Sequence, residues 1–231
     1  IFGVTLEISD GNTSRRRTYS INAVSNGTDW NVFGDDLAYT ALESATNIVS
    51  DINRGTNEVF VLGTSGNDQT FVYKYDSTWS QLGSNFQGNS SSSGSIRVNE
   101  KTEEPWIVIN ENGSTNIYKF HLAAWQQVGN TLPGGSEYDI AIDKHGKCYI
   151  SFLEAGVSKV YSFDSTSWNQ LASLPGATLL RWPKVELNSG QMPMIIAGEF
   201  NNGSFFSRVF EYDGSNWQPI GNLINQNAPT E

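Results

Sequence analysis

Short runs of hydrophobic residues recur along the chain, and turn-forming residues separate them. The clearest runs are nearly continuous in apolar side chains and are three or four residues long: 59–62, 106–109, 148–150 and 194–197. Continuous apolarity over so short a length predicts β-strands that are buried on both faces, as in the interior of stacked sheets.

Each apolar run is flanked by two further segments of strand character. An alternating segment that ends in Asp or Asn precedes it, at 48–51, 96–99, 140–143 and 185–188. The turn between the two is clearest at Asp143-Lys144-His145-Gly146, because Asp and Gly tolerate the backbone conformations that tight turns need. A pair of aromatic residues two positions apart follows the run. We name these strands A (alternating), B (apolar) and C (aromatic pair).

A tryptophan then marks a fourth strand, D. The tryptophans recur at spacings of 49, 46, 43 and 49 residues: Trp30, Trp79, Trp125, Trp168 and Trp217. Four antiparallel strands repeated every 40–50 residues are typical of propeller blades. One blade cannot bury both of its own faces, so we expect each tryptophan to pack between neighbouring blades and not to bind a ligand.

The repeat predicts an all-β fold, a β-propeller of about five four-stranded antiparallel blades in a single domain, residues 1–231. Blades 1 to 5 cover approximately 1–34, 46–83, 95–129, 138–172 and 183–221. The chain opens on a B-like strand, so blade 1 lacks an N-terminal strand A, and a second polypeptide or a missing segment could complete it. Residues 222–231 form a tail that either closes the ring as a degenerate strand or belongs to a longer propeller.

Residues 72–83, with counterparts at 160–171 and 209–221, resemble the kelch-related, Trp-containing propeller repeats of bacterial extracellular and cell-surface proteins. Residues 140–150 resemble the A–B hairpin of the same repeats. The resemblance covers most of residues 46–221, but the paired glycines that follow strand B in kelch repeats are missing. It implies a binding role at the cell surface or outside the cell, and it carries over no catalytic residue.

Composition narrows the range of partners. Only 16% of the residues are charged and the net charge is −10, so nucleic acid and anionic membrane surfaces are poor partners. No apolar run reaches the length of a membrane span. The chain has no initiator Met, no visible signal peptide and one cysteine, Cys148. We expect a processed or excised segment of a secreted or cell-surface protein, with Cys148 as a small buried hydrophobic residue.

Candidate ligand-binding residues gather on the face that holds the B–C turns and the D–A connections. They are three glutamates after strand B and three residues of the D–A connections: Glu111, Glu154, Glu199, Tyr138, Arg181 and Trp182. Aromatic rings beside carboxylates suit sugar recognition. The alternative is that the glutamates are solvated turn residues and that the aromatic residues anchor loops.

No catalytic residue, metal site or cofactor is predicted. The two histidines, His121 and His145, fall on different parts of the repeat. The carboxylates of Asp51, Asp139 and Asp143 could be invoked for glycoside hydrolysis, although Asp51 and Asp143 fit turn positions.

The favoured function is therefore a non-catalytic binding module, lectin-like or adhesive, whose partner is a glycan or an extracellular protein. The alternative is a structural or protein-interaction propeller within a larger extracellular assembly. A carboxylate-based glycosidase is the least favoured of the three.

Overall fold

The computed structural model describes residues 2–9, 14–21, 45–65, 68–87, 94–175, 180–201 and 204–225. Every regular element in these ranges is a β-strand, which confirms the all-β prediction. The described residues contain no helix long and apolar enough to span a membrane. The chain divides into two compact units, Ile1–Asp35 and Asp36–Glu231, and a single domain over residues 1–231 stays a prediction.

The described residues of the first unit form one antiparallel hairpin. Strand β1 (Phe2–Ser9) pairs with β2 (Ser14–Ile21) along its whole length, with Phe2 opposite Ile21 and Ser9 opposite Ser14. The first of the repeated tryptophans, Trp30, lies outside the described residues.

In the second unit, the described residues form four antiparallel sheets, one for each of blades 2 to 5. Blade 2 consists of β3 (Ala45–Ile52), β4 (Val59–Ser65), β5 (Gln69–Tyr75), β6 (Trp79–Gln81) and β7 (Phe86–Gln87). Blade 3 consists of β8 (Ser95–Asn99), β9 (Glu104–Glu111), β10 (Ser114–His121), β11 (Ala124–Gln127) and β12 (Leu132–Pro133). Blade 4 consists of β13 (Ser136–Ile142), β14 (Cys148–Glu154), β15 (Val157–Phe163) and β16 (Trp168–Gln170). Blade 5 consists of β17 (Leu180–Leu187), β18 (Pro193–Asn201), β19 (Ser204–Tyr212) and β20 (Trp217–Asn225).

Each sheet has the strand order A–B–C–D, so sequence neighbours pair throughout. In blades 2 and 3 the short strands β7 and β12 add to strand C beyond the end of strand D. In blade 5 the same place is filled by the end of β20, where Ile224 pairs with Ser207 of β19. The predicted tail residues up to 225 therefore extend strand D of their own blade.

The apolar B strands are buried on both faces because alternate residues face different neighbours. In β9, Trp106 and Val108 belong to a hydrophobic cluster shared with blade 4. The intervening Ile107 and Ile109 belong to a cluster shared with blade 2. Alternation along a strand sends successive side chains to opposite faces, so a continuous apolar run fits a sheet between two others.

Three of the repeated tryptophans join successive blades. They donate the indole N–H to a backbone carbonyl of the preceding blade, Trp125 to Leu82 at 2.8 Å, Trp168 to Val128 at 2.7 Å and Trp217 to Ala172 at 2.8 Å. The first two indoles also lie against a glycine, Gly83 or Gly129, whose positive φ carries the chain past the ring. In blade 4 the corresponding position holds Ala172. There the indole of Trp217 bonds the carbonyl of Ala172 itself, and not the carbonyl of the residue before it.

Candidate functional site

Tyr138 lies inside the stack of sheets. Its side chain is 1% exposed, and its hydroxyl donates to the carbonyl oxygen of Gly135 at 2.6 Å. The same hydroxyl lies 3.0 Å from Oγ1 of Thr115, and burial raises the pKa of Tyr138. The ring offers no face to a ligand, so the sequence-based assignment of Tyr138 to a surface site does not fit its position. Tyr138 instead anchors the connection between blades 3 and 4.

Arg181 and Trp182 are exposed at the start of β17. A β-bulge between Arg181 and Lys184 interrupts the pairing with β18, and Trp182 has a φ of 52°. The indole covers Gly198, where an added Cβ atom would lie 2.9 Å from Cε3 of the ring. Half of the Trp182 residue is still exposed, so part of its surface can contact a ligand.

Two of the three glutamates after strand B, Glu111 and Glu154, are engaged within their own blades. Oε2 of Glu111 accepts hydrogen bonds from the Tyr118 hydroxyl at 2.5 Å and from Nδ2 of Asn116 at 3.0 Å. Oε2 of Glu154 accepts the Tyr161 hydroxyl at 2.8 Å. Glu199 lies on β18, and its side chain is outside the description. Glu111 and Glu154 are thus in separate blades, each with a tyrosine partner on strand C.

The aspartates considered for hydrolysis accept hydrogen bonds from the backbone. The bonds are Val98 N–H to Asp51 at 2.7 Å, Val185 N–H to Asp139 at 3.0 Å, and the N–H groups of His145 and Lys147 to Asp143 at 2.8 Å each. The first two connect the A strands of neighbouring blades, and the last two close the A–B turn of blade 4. Burial raises the pKa of Asp139. Over the described ranges, no group of three His, Cys, Asp or Glu side chains could hold a metal ion.

A cleft of about 520 Å³ lies between blades 3 and 4, and we call it the interblade cleft. Its apolar part consists of Trp106, Val128 and Phe163, with the Trp106 and Phe163 rings in an edge-on arrangement at 6.3 Å. The cleft opens beside the A–B and C–D turns. It is therefore at the opposite ends of the strands from the face that the sequence indicated.

Polar side chains surround this apolar part. They come from strands B, C and D and the A–B turn of blade 3, and from two turns of blade 4: Lys101, Glu104, Lys119, Gln127, His145, Ser165 and Thr166. Lys119 lies directly across from Trp106 in the pairing of β10 with β9. Among the described residues, the buried indole N–H of Trp106 has no hydrogen-bond acceptor.

Sequence reasoning missed this cleft because it treated strands C and D as repeat framework. Its expectation that the run 106–109 is buried is confirmed, since Trp106 is 6% exposed. One signal was present in the chain. The Lys74–Asp76 pair of blade 2 becomes Lys119–His121 in blade 3, a change of charge at an otherwise regular position. His121 and His145 lie in different blades, as the repeat predicted, and only His145 lines the cleft.

A second cavity, of about 270 Å³, lies among the A strands of blades 2 to 5. Its charged side chains include both signs, and Nη2 of Arg97 donates to Oε1 of Glu186 at 2.7 Å. Nε of the same arginine donates to the carbonyl oxygen of Ile140. These bonds link blade 3 to blades 4 and 5, so we assign this cavity to the connection between blades.

No family model matches the chain, and no curated protein matches it. Among solved structures, the SapL1 lectin in complex with α-methyl fucoside has a TM-score of 0.60 and 13% sequence identity. The match covers 80% of this chain, which spans 65% of the length of that lectin. A mutant of AofleA from Arthrobotrys oligospora has a TM-score of 0.56 and 13% identity, over 96% of this chain and 70% of the other.

These likenesses, together with the four-stranded sheets, define a β-propeller. An endo-arabinase from Bacteroides thetaiotaomicron is also similar, with 14% identity over 78% of this chain and 80% of the enzyme. Its TM-score is 0.49. None of these structures identifies a kelch-related repeat family, and that resemblance stays a prediction.

Proposed function

We propose that this protein is a carbohydrate-binding β-propeller without catalytic activity, secreted or displayed at the cell surface, and that it binds sugar in the interblade cleft. The observation that carries the proposal is the lining of the cleft. The partly exposed ring of Phe163 lies against the nearly buried Trp106, which is 6% exposed, and beside amide, hydroxyl and ammonium groups. Apolar aromatic surface with a few polar groups around it is the usual lining of a small-molecule site.

The likeness to lectins supports this proposal. SapL1 is described as a lectin in complex with α-methyl fucoside, and it shares the propeller fold with this chain. Fold alone does not transfer a ligand, so the cleft itself is the stronger support. Its volume also falls within the range of about 300–1,000 Å³ that is common for ligand sites.

Trp182 defines a second candidate surface within the same function, because its indole is half exposed beside Arg181. Its position at the other ends of the strands makes the two surfaces separable by mutation. Hydrolysis is disfavoured because Asp51, Asp139 and Asp143 all accept backbone hydrogen bonds that hold strands and turns together.

A glycan array with the purified protein tests the proposal. Thr166→Trp adds a large ring at the rim of the cleft, at an exposed position whose backbone N–H bonds Asp164. Ser215→Trp is the matched control, because its N–H makes the same bond to Asp213 in the C–D turn of blade 5.

Binding should be lost in Thr166→Trp and kept in Ser215→Trp and Trp182→Ala. Loss in Trp182→Ala alone, with the fold intact by circular dichroism, would move the site to the other face. Absence of binding to every glycan would reject the proposed function.

A further inference from the structure

We infer that the interblade cleft selects an acidic sugar, and that Lys119 binds its carboxylate or sulfate group. This inference rests on the proposed carbohydrate-binding function and narrows its ligand class. It starts from a difference between two blades that otherwise share the same strand pattern.

In blade 2 the lysine on strand C is neutralised by its own sheet. Nζ of Lys74 lies 2.9 Å from Oε1 of Glu58 and 2.8 Å from Oδ2 of Asp76. Hydrogen bonds to these two carboxylates raise the pKa of Lys74. Two acids from the same blade therefore satisfy this ammonium group.

In blade 3 the same three positions hold Glu104, Lys119 and His121. His121 stands where blade 2 has Asp76, and its Nδ1 bonds Oε1 of Glu104. The other oxygen of Glu104 accepts the Thr102 hydroxyl at 3.0 Å. Glu104 therefore bonds His121 and Thr102, and it forms no ion pair with Lys119.

Lys119 has no acidic partner among the described residues. Its side chain makes no ion pair or hydrogen bond with any of them, although the residue is partly buried across from Trp106. The three N–H donors of its ammonium group are therefore available to a ligand in the cleft. An anionic ligand supplies the missing acceptor, and hydrogen bonds between opposite charges are about twice as strong as neutral ones.

The other charged side chains of the cleft also favour an anionic ligand. Lys101 adds a second ammonium group at the rim, and Glu104 is the one carboxylate among the lining residues named for this cleft. The protein as a whole has a net charge of −10, so it repels anions at long range. Binding of an acidic sugar therefore depends on the local lysines.

The test compares acidic glycans with neutral counterparts of the same backbone. Suitable pairs are trigalacturonate and its methyl ester, 3′-sulfolactose and lactose, and 3′-sialyllactose and lactose. The first and third pairs report a carboxylate and the second a sulfate. Affinities are measured by calorimetry for the wild type, Lys119→Met, Lys119→Arg and Lys74→Met, after each variant is shown to be folded.

We expect at least one acidic member to bind about tenfold or more tightly than its neutral counterpart, as one charged hydrogen bond predicts. Lys119→Met should remove that preference, Lys119→Arg should keep most of it, and Lys74→Met should leave it within about twofold of wild type.

Equal affinity for the acidic and neutral members, or an acidic preference that survives Lys119→Met, would overturn the inference. So would a lack of binding to all the probes. If the array shows binding of neutral glycans only, and Thr166→Trp abolishes that binding, the proposed carbohydrate-binding function stands but the acidic-sugar inference is rejected.

Discussion

The carboxylate of Glu137 accepts the backbone N–H of Trp182 at 2.7 Å. The two residues occupy the same place in the A strands of blades 4 and 5, each within a β-bulge and each with a positive φ, 58° and 52°. A left-handed backbone is unfavourable for residues other than glycine. The bond therefore stabilises a backbone conformation that is unfavourable for Trp182. It also connects the β-bulge of blade 4 to the β-bulge of blade 5.

Removal of this acceptor should loosen the edge of blade 5. We expect Glu137→Ala to lower the free energy of unfolding by about 1 kcal/mol, the usual worth of one hydrogen bond. Glu137→Gln should lose less, because the amide oxygen can still accept the N–H. Urea denaturation of both variants measures the difference. If Glu137→Ala is as stable as the wild type, the bond does not constrain Trp182.

The two glycines that lie against interblade tryptophans, Gly83 and Gly129, should be intolerant of a side chain. A Cβ atom at Gly129 would lie 2.8 Å from Cδ1 of Trp168 and 2.9 Å from Cε2 of Phe163, and φ is 71°. We expect Gly129→Ala to cost about 2–4 kcal/mol, of which about 1 kcal/mol comes from the backbone and the rest from overpacking.

Gly221 is the matched control for this experiment. It occupies the same place after Trp217, has a φ of 67° and has no atom within 4 Å of an added Cβ. Gly221→Ala should therefore cost only the backbone contribution of about 1 kcal/mol. Equal losses of stability in the two variants, measured by urea denaturation, would show that the indole contact adds nothing.

The sequence predicted the framework well, because each blade carries its own strand pattern. Continuous apolarity at 106–109 predicts burial on both faces, and the structure divides these residues between two neighbouring blades. Trp168 could be assigned to the interface in the same way, because a lone blade has no other means to bury it.

The candidate site was harder to predict because it depends on contacts between blades. Tyr138 departs from the repeat, yet an aromatic residue outside the repeat can anchor a loop as readily as bind a ligand, and here its hydroxyl bonds Gly135. The cleft brings Lys119 of one sheet near Phe163 of the next. No pattern within a single blade contains that relationship.

Cys148 should not react with thiol reagents in the native protein. Its side chain is completely buried on β14, and burial raises its pKa well above the ordinary value. Since the thiolate is the reactive form, labelling by a disulfide reagent should become fast only on unfolding. Its rate in increasing urea then reports the opening of blade 4. Rapid stoichiometric labelling without denaturant would contradict the buried position.

Tyr118 and Tyr161 should keep their protons to unusually high pH. Burial raises the pKa of each tyrosine, and the hydrogen bond to a carboxylate, Glu111 or Glu154, raises it further. The native state thus holds these protons more tightly than the unfolded state, in which tyrosine ionises at about pH 10. Their contribution to stability is therefore complete below about pH 10 and is lost as pH rises above it.

Absorbance titration of the tyrosinate band tests this in the folded protein, where a late-ionising group should separate from the exposed tyrosines. Glu111→Gln removes one carboxylate charge while it keeps an acceptor, so Tyr118 should ionise earlier than in the wild type but still late, since burial is the larger cause. Glu154→Gln should shift Tyr161 alone and serves as the parallel control. A titration curve that neither substitution changes would mean that these carboxylates do not contact the tyrosines in solution. A loss of stability at alkaline pH would then have to come from groups other than these two pairs.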